Sequence, residues 1–542
     1  MLDKFKIAFN KTENKLLDIK QSLTPLLTDK KFLIALALLF ALFFSIRVFY
    51  ISKKVSFFID EVYSIELSNR SEYGLCNNKI PTDVKYTGKQ LKQLQLWNDD
   101  SISDSLNDVF HLWIDNKDSP HTNFYYSFLR LWFTGVKSID NKYITNRGCA
   151  LNLLFFSISF LLMVVLLSKL TSNKIYILLC LLIAFCNPGT ISSTLFIRPY
   201  ELQQTMFIAF TLLFVTYLKA IIKQNNIFTK KNLFKSALII SLTMLAGYFG
   251  LFYIAILGLI LLILLYKNKN YNVIKYFIFM FLLSLLLAKG LYLSFGEGLF
   301  SYRGKEALGK INGNEIISNI KLTLVSFDSQ IMKNNILIYL SAILSIICCI
   351  KLTVDIIRKK TKTFSSYCSV LTIASCFFFV ILTLYFTPYK DLRYIAPTFP
   401  LFSILFVNNI WLKKKYNYLI PLLIVFCYAI AIMPMDNIAK GVRTGYSTIE
   451  HIDDDFLTKT FIEKTKIPLA IHNNDCRSHI IIPYIKNEQS VYLFDNFDEH
   501  TINEKHYYVF LTPTCDPKLL EKYKDNIVGE VPRQLTVIEI KK

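Results

Sequence analysis

Charge is scarce in this 542-residue chain: Asp, Glu, Lys and Arg together make up 19%, against 53% hydrophobic residues. That scarcity excludes a string of soluble domains, which a chain of this length would otherwise suggest. Alternating polar–apolar segments are also lacking; continuous stretches such as residues 175–185 argue against a membrane β-barrel. No basic stripe with interleaved aromatics is present, so the net charge of +21 does not point to nucleic acid. Lysines and arginines cluster instead in short segments between apolar runs, the charge signature of membrane topology. Histidines number only seven, none within an apolar run, and no pair has the helical spacing of metal ligands. Internal repeats and low-complexity segments are absent from the sequence.

What is present is a series of apolar runs from residue 32 to residue 434. About 20 mainly apolar residues cross ~30 Å of hydrocarbon as a helix. Backbone in lipid must satisfy its own hydrogen bonds, so these runs are expected to be α-helices. The run at 32–50 is too long for a signal-peptide core and lacks a small-residue cleavage site, so it reads as a retained span. Seven lysines in residues 1–31 keep that segment in the cytoplasm. Further spans are predicted near 148–169, 175–195, 199–221, 236–249, 250–266, 272–294, 335–352, 364–386, 394–412 and 416–434. The pair at 236–266 is one apolar block broken around Gly247 and Gly250. Eleven spans put the basic segments 219–235, 267–275, 351–362 and 413–415 on the cytoplasmic side. Odd parity then places residues 435–542 outside, with the long loop 51–145.

That loop holds an amphipathic piece at 124–136, a pattern suited to the membrane interface. The tail alternates β-rich runs at 467–471, 490–494, 507–511 and 536–540 with helix-compatible stretches at 453–464 and 517–524, the pattern of a small α/β domain. The predicted architecture is an α-helical polytopic membrane protein with a cytoplasmic segment 1–31 and a transmembrane domain 32–434. The latter includes the extracytoplasmic loop 51–145, and an extracytoplasmic α/β domain follows at 435–542. Of the 11 cysteines, eight lie in or beside apolar segments and serve as small hydrophobes. Cys76, Cys476 and Cys515 lie in polar regions, where an oxidising compartment would permit a Cys476–Cys515 bridge. Usage rich in lysine, asparagine and isoleucine fits a low-GC bacterium, and hence its cytoplasmic membrane.

Four short polar constellations stand out. Asp60 and Glu61 follow the first span in Phe57-Phe58-Ile59-Asp60-Glu61-Val62-Tyr63. A carboxylate at a membrane rim suits a general base or a metal ligand, and equally a solvated helix N-terminus. Asp118-Ser119-Pro120-His121-Thr122-Asn123-Phe124-Tyr125-Tyr126 precedes the amphipathic piece, where Asp118 or Ser119 would serve equally as a helix cap. Arg198-Pro199-Tyr200-Glu201 lies between two spans, and Arg393-Tyr394 with Pro397 opens another, preceded by Tyr389, Lys390 and Asp391. By topology Asp60, Asp118, Arg198 and Arg393 share one membrane face, where arginines suit a phosphate at headgroup depth. Arg47 and Lys289 are expensive at hydrocarbon depth, and each would either bind an anionic headgroup or snorkel.

In this order the pieces resemble the GT-C superfamily of membrane glycosyltransferases, nearest the branch of protein O-mannosyltransferases and the bacterial lipid A aminoarabinose transferase. That family has an acidic pair after its first span, as Asp60–Glu61 here. A His-Pro-Pro-Leu-Tyr-Tyr-like stretch follows, of which Ser119-Pro120-His121-Thr122-Asn123-Phe124-Tyr125-Tyr126 looks like a degenerate version. Arg-x-Tyr matches Arg198-Pro199-Tyr200, and Arg-Tyr-x-x-Pro matches Arg393-Tyr394-Ile395-Ala396-Pro397. The chain departs from the family in lacking the double proline. It also has Gly247-Tyr248-Phe249-Gly250 where many relatives carry a histidine.

The resemblance implies inverting sugar transfer from a polyprenyl-phosphate sugar to an extracytoplasmic glycan, lipid or protein, in contact with membrane lipids. Asp60 would be the base, with Glu61 and Asp118 beside it in the catalytic set. Arg198, Tyr200, Arg393 and Tyr394 would hold the donor phosphate and lipid, and His121 and Tyr125 would be accessory. No cofactor is required by this scheme, and a divalent cation is left open, with no ligand assigned. Rival readings are a polysaccharide polymerase or ligase, and a lipid-linked sugar flippase or transporter. A flippase or transporter would be expected to show repeats and midplane polar residues, and a non-enzymatic scaffold would use only the tail.

Overall fold

The structure is a computed structural model that describes residues 28–54, 57–69, 80–95, 101–118, 121–223, 229–267, 269–310, 317–318, 320–321, 336–358, 363–387, 392–408, 418–433, 466–473, 481–531 and 535–542. Helices in chain order are α1 (Lys30–Lys53), α2 (Ile59–Asn69), α3 (Gly88–Gln95), α4 (Ile102–Ile114), α5 (Phe124–Phe133), α6 (Asn141–Leu170), α7 (Lys174–Phe185), α8 (Pro188–Leu195) and α9 (Tyr200–Lys223). They continue with α10 (Lys230–Ala246), α11 (Gly250–Lys267), α12 (Tyr271–Leu291), α13 (Tyr302–Gly309), α14 (Ile336–Ile357) and α15 (Phe364–Phe386). The short turns Leu392–Ile395, Ala396–Thr398, Phe399–Phe402 and Ser403–Val407 precede α16 (Leu419–Ile432) and α17 (Pro517–Lys522). Six strands are β1 (Val84–Thr87), β2 (Leu469–His472), β3 (Ser490–Phe494), β4 (His506–Leu511), β5 (Ile527–Val531) and β6 (Leu535–Lys541). The chain divides into two compact units, Met1–Ser52 with Asn152–Gly445, and Lys53–Leu151 with Tyr446–Lys542.

The first unit is the membrane part of an integral membrane protein. All eleven expected apolar runs are helical among the described residues. Among the described residues seven helices are long and apolar enough to cross a bilayer, or eight if α7 and α8, bent by 57° at their junction, count as one span. The bend is written in Asn187-Pro188: Asn187 accepts from Thr190 N at 3.0 Å, and Pro188 occupies the first helical position. The run at 394–412 is the one that departs most from a simple span. Pro397 and Pro400 remove backbone donors there, and the segment is a series of short α and 3-10 turns. Residues 236–266 form two helices, as expected. Between α10 and α11, Gly247 lies against the Gln203 side chain of α9, whose Nε2 would sit 2.2 Å from a Cβ added there.

The second unit is built on a six-stranded sheet in the order β1-β3-β2-β4-β6-β5, with β2, β3 and β4 parallel and the other pairings antiparallel. Alternation along the strands gives the sheet two apolar faces: Leu469 and Ile471 pack with Val491, Phe510 and Val537, and Ala470 with Val509 and Ile538. The sequence foresaw four of the six strands. The sheet also takes in β1 from the 51–145 loop, with Ile80 and Leu91 in its core, so the unit is larger than the tail alone. A Cβ on Gly88 would lie 2.1 Å from the Lys486 carbonyl oxygen, which fixes glycine at the β1–α3 joint. The expected helix at 453–464, the N-terminal segment 1–27, and Cys76 and Cys476 of the cysteine readings lie outside the described residues. Cys515 is buried in the second apolar face.

Candidate functional site

In the second unit, α2 begins where the sequence placed the acidic pair. Glu61 N–H and Val62 N–H both donate to Phe58 O, at 2.8 and 3.2 Å, which makes Phe58 the residue before the helix. Glu61, three positions on, reaches back so that Oε2 accepts from Phe58 N–H at 2.8 Å, half of a capping box. Its other oxygen pairs with Lys54, and the side chain is fully buried. The solvated helix start expected for this pair therefore does not apply to Glu61: hydrogen bonding and charge pairing take it out of water. Asp60 is half-buried in the same turn, and its carbonyl accepts from Ser64 Oγ at 2.9 Å. Upstream, Phe57 N–H donates to Tyr484 Oη at 2.8 Å.

Asp118 is buried, and Oδ2 accepts from Tyr126 Oη at 2.9 Å and lies 2.8 Å from His121 Nδ1. Asn116 braces the turn, accepting from Asp118 N–H at 3.1 Å and donating to His121 O at 2.9 Å. Asp118 is thus no helix cap; Asn123 precedes α5 without a side-chain cap bond, and Ser119 and Pro120 lie outside the described residues. Tyr125 is buried edge-on to Tyr126, at 6.2 Å between centroids. On the same helix Arg130, fully buried, donates to Asp108 of α4 at 2.6 Å. Helix α5 is buried on the face carrying Tyr125, Tyr126, Leu129, Arg130 and Phe133, while Leu131 stays exposed.

The first unit gathers the other set. Tyr200 opens α9, stacks on Phe196 at 5.9 Å and meets the Tyr394 ring edge-on at 6.0 Å. Arg393 Nη2 donates to Tyr394 Oη at 3.1 Å and lies over that ring at 4.9 Å. Phe249, from the break between α10 and α11, comes edge-on to Tyr394 at 6.5 Å. Arg198 is buried in the turn just before Tyr200, where its N–H donates to Phe196 O at 2.7 Å. Of the four residues expected to serve one phosphate, Tyr200, Arg393 and Tyr394 therefore share one aromatic cluster, and Arg198 lies two residues before Tyr200 in the chain. Phe249 was missed as a cluster member. The broken apolar block around it was the available signal.

Arg47 and Lys289 separate sharply. Lys289 is half-exposed, 3.9 Å from Glu297, as a snorkelling lysine would be. Arg47 is wholly buried and bonded within the protein, which overturns both readings the sequence left open for it. Among the described residues no three His, Cys, Asp or Glu side chains converge as a metal would require.

No protein-family model and no curated protein matches the chain. Among solved structures it is similar to ArnT from Cupriavidus metallidurans bound to undecaprenyl phosphate, with a TM-score of 0.45 and 10% identity over 93% of this chain and 97% of that one. It is also similar to ArnT from the same organism in the apo state, with a TM-score of 0.38 and 10% identity over 88% and 95% of the two chains.

Proposed function

We propose that the protein is an inverting membrane glycosyltransferase of a bacterial cytoplasmic membrane, moving a sugar from a polyprenyl-phosphate donor to an acceptor outside. The observation that carries the reading is a pair of buried arginines where apolar helices end: Arg393 on the Tyr394 ring, which meets Tyr200 and Phe249, and Arg198 two residues before Tyr200. Buried guanidinium groups favour a polyanion, and aromatic rings beside them favour an amphiphile. A lipid-linked phosphate has both parts.

The acceptor hydroxyl oxygen attacks the anomeric carbon, the bond from that carbon to the phosphate oxygen breaks, and polyprenyl phosphate leaves with the electron pair. The hydroxyl proton passes to Asp60. Glu61, with one oxygen on Lys54 and the other on the Phe58 amide, holds the helix start instead of sharing the proton. Arg198 and Arg393 stabilise the charge that grows on the departing phosphate. A phosphate leaving group has its second pKa near about 6, so no strong general acid is needed. Asp118, His121 and Tyr126 form a bonded cluster that orients the acceptor side, with Tyr125 packed beneath it.

Purified protein incubated with a panel of polyprenyl-phosphate sugars should hydrolyse or transfer one of them. Asp60→Asn should lower the rate by about 10²–10⁴-fold, the usual contribution of a general base. An inserted, folded Asp60→Asn protein with full activity would overturn the assignment.

A further inference from the structure

Arg47 lies in the membrane part of the first unit, wholly buried, and each nitrogen of its guanidinium donates to a group within the protein. Nε donates to Thr194 Oγ1 at 3.1 Å, Nη1 to Phe43 O at 3.2 Å and Nη2 to Phe185 O at 3.2 Å. One face of the group covers the Phe156 ring at 3.8 Å. Phe185 is the last residue of α7, so the cation sits on a helix C-terminus, where it is favoured. Glu201, also wholly buried, completes the group: Oε2 lies 3.1 Å from Thr194 Oγ1, and Oε1 accepts from Gln204 Nε2 at 2.6 Å. From the other side Asn152 Nδ2 donates to Phe196 O at 2.7 Å and Thr194 O at 3.3 Å. These bonds enclose one short piece of backbone, the link from α8 to α9, and that link carries Arg198.

We propose that Arg47 and Glu201 are a positioning pair that fixes the α8–α9 link, and through it the Arg198 guanidinium, for an anionic phosphate. The inference deepens the donor-phosphate reading above and rests on it for the identity of the ligand. Buried charges add little net stability relative to well-packed apolar residues, so stability alone does not account for two joined through the Thr194 hydroxyl across several helices. A fixed link does: with Arg47 on α1 and Asn152 on α6, the turn is gripped by side chains from outside its own hairpin.

The test uses the full chain in nanodiscs, with undecaprenyl phosphate as probe and hydrogen exchange read on the peptide spanning residues 195–201. The double variant Arg47→Met/Glu201→Leu removes both charges together, so that neither is stranded. It is expected to melt like the parent, exchange faster in that peptide, and bind the probe about tenfold more weakly, equivalent to ~1.4 kcal/mol. Arg198→Ala should weaken binding in the parent but add almost nothing in the double variant, because the two act through one group. A purely structural pair would leave Arg198→Ala with the same penalty in both backgrounds, and that result overturns the proposal. Unchanged exchange at 195–201 overturns it too. Should the parent not bind the probe at all, the donor reading falls, while faster exchange in the double variant still supports the positioning role. If the double variant fails to fold, Gln204→Leu, which loosens Glu201 alone, must speed exchange at 195–201 or the proposal is overturned.

Discussion

Each unit buries a glutamate completely in the first turn of a helix and links it to a cation, directly in one and through a threonine hydroxyl in the other. Glu61 takes local partners, the Phe58 amide three residues back and Lys54 seven residues back. Glu201 takes its bonds from Thr194 and Gln204, and through Thr194 reaches Arg47, which lies 147 residues from that threonine. The first arrangement starts a helix; the second fastens helices to one another. The same residue type in the first turn of a helix thus serves local order in one unit and tertiary order in the other, and the span of its hydrogen bonds decides which.

The sharpest way to break this contrast is to remove one partner from each. Glu201→Leu strands the Arg47 charge in a dry interior, and should cost about 3–5 kcal/mol in detergent unfolding. Adding Arg47→Met should recover most of that loss. If the single and double variants melt alike, the pair is not electrostatically coupled and the contrast fails. Glu61→Ala should cost less, about 1–3 kcal/mol, the range for leaving a buried donor unsatisfied. Here Lys54→Met should recover only part of the loss, since the Phe58 amide still lacks its acceptor. Full recovery, read by the same unfolding measurement, would mean that Glu61 is held by charge and not by the cap.

Much of the first unit was legible because lipid imposes a blunt rule: an apolar run must become helix, and the runs appear in the chain without reference to anything distant. The pair at 236–266 was readable from Gly247 and Gly250 for the same reason. Arg198, Tyr200, Arg393 and Tyr394 were legible as motifs, and their shared cluster was not, because the aromatic contacts join turns far apart in sequence. Arg47 illustrates the limit best. Its cost in lipid was evident, but its partners come from α7 and α8, and no local pattern announces them. In the second unit β1 was missed since Val84–Thr87 is short and mostly exposed, with Lys85 in its middle, where strand patterning is weakest.

The smallest expected effect concerns pH in the second unit. A hydrogen bond from Tyr523 holds Glu499 below the ordinary glutamate value of 4.5, and bonds from Lys541 and His506 do the same for Glu539. Groups depressed in the folded state add stability that is present above 4.5 and lost as pH falls through their lowered values. Peptides covering β4 to β6 should therefore exchange faster below that pH. The Glu499→Gln/Glu539→Gln variant should show a flatter dependence, and an unaltered slope would refer the acid sensitivity to other groups. Because both carboxylates are largely solvated, the change should be slight.

The strand β1 has one more consequence, for the order of events at the ribosome. Lys85 beside β3 pairs with Glu504, 419 residues later in the chain. The first-made strand must therefore wait, unpartnered, while the intervening helices are synthesised and inserted. Contacts of such long sequence separation form late and slowly. A copy of the tail made alone would start promptly but would present the bare edge of β3, an invitation to pair with its neighbours. Supplying residues 80–95 as a separate peptide should quiet that edge, making this sheet a late-closing seal on the assembled chain.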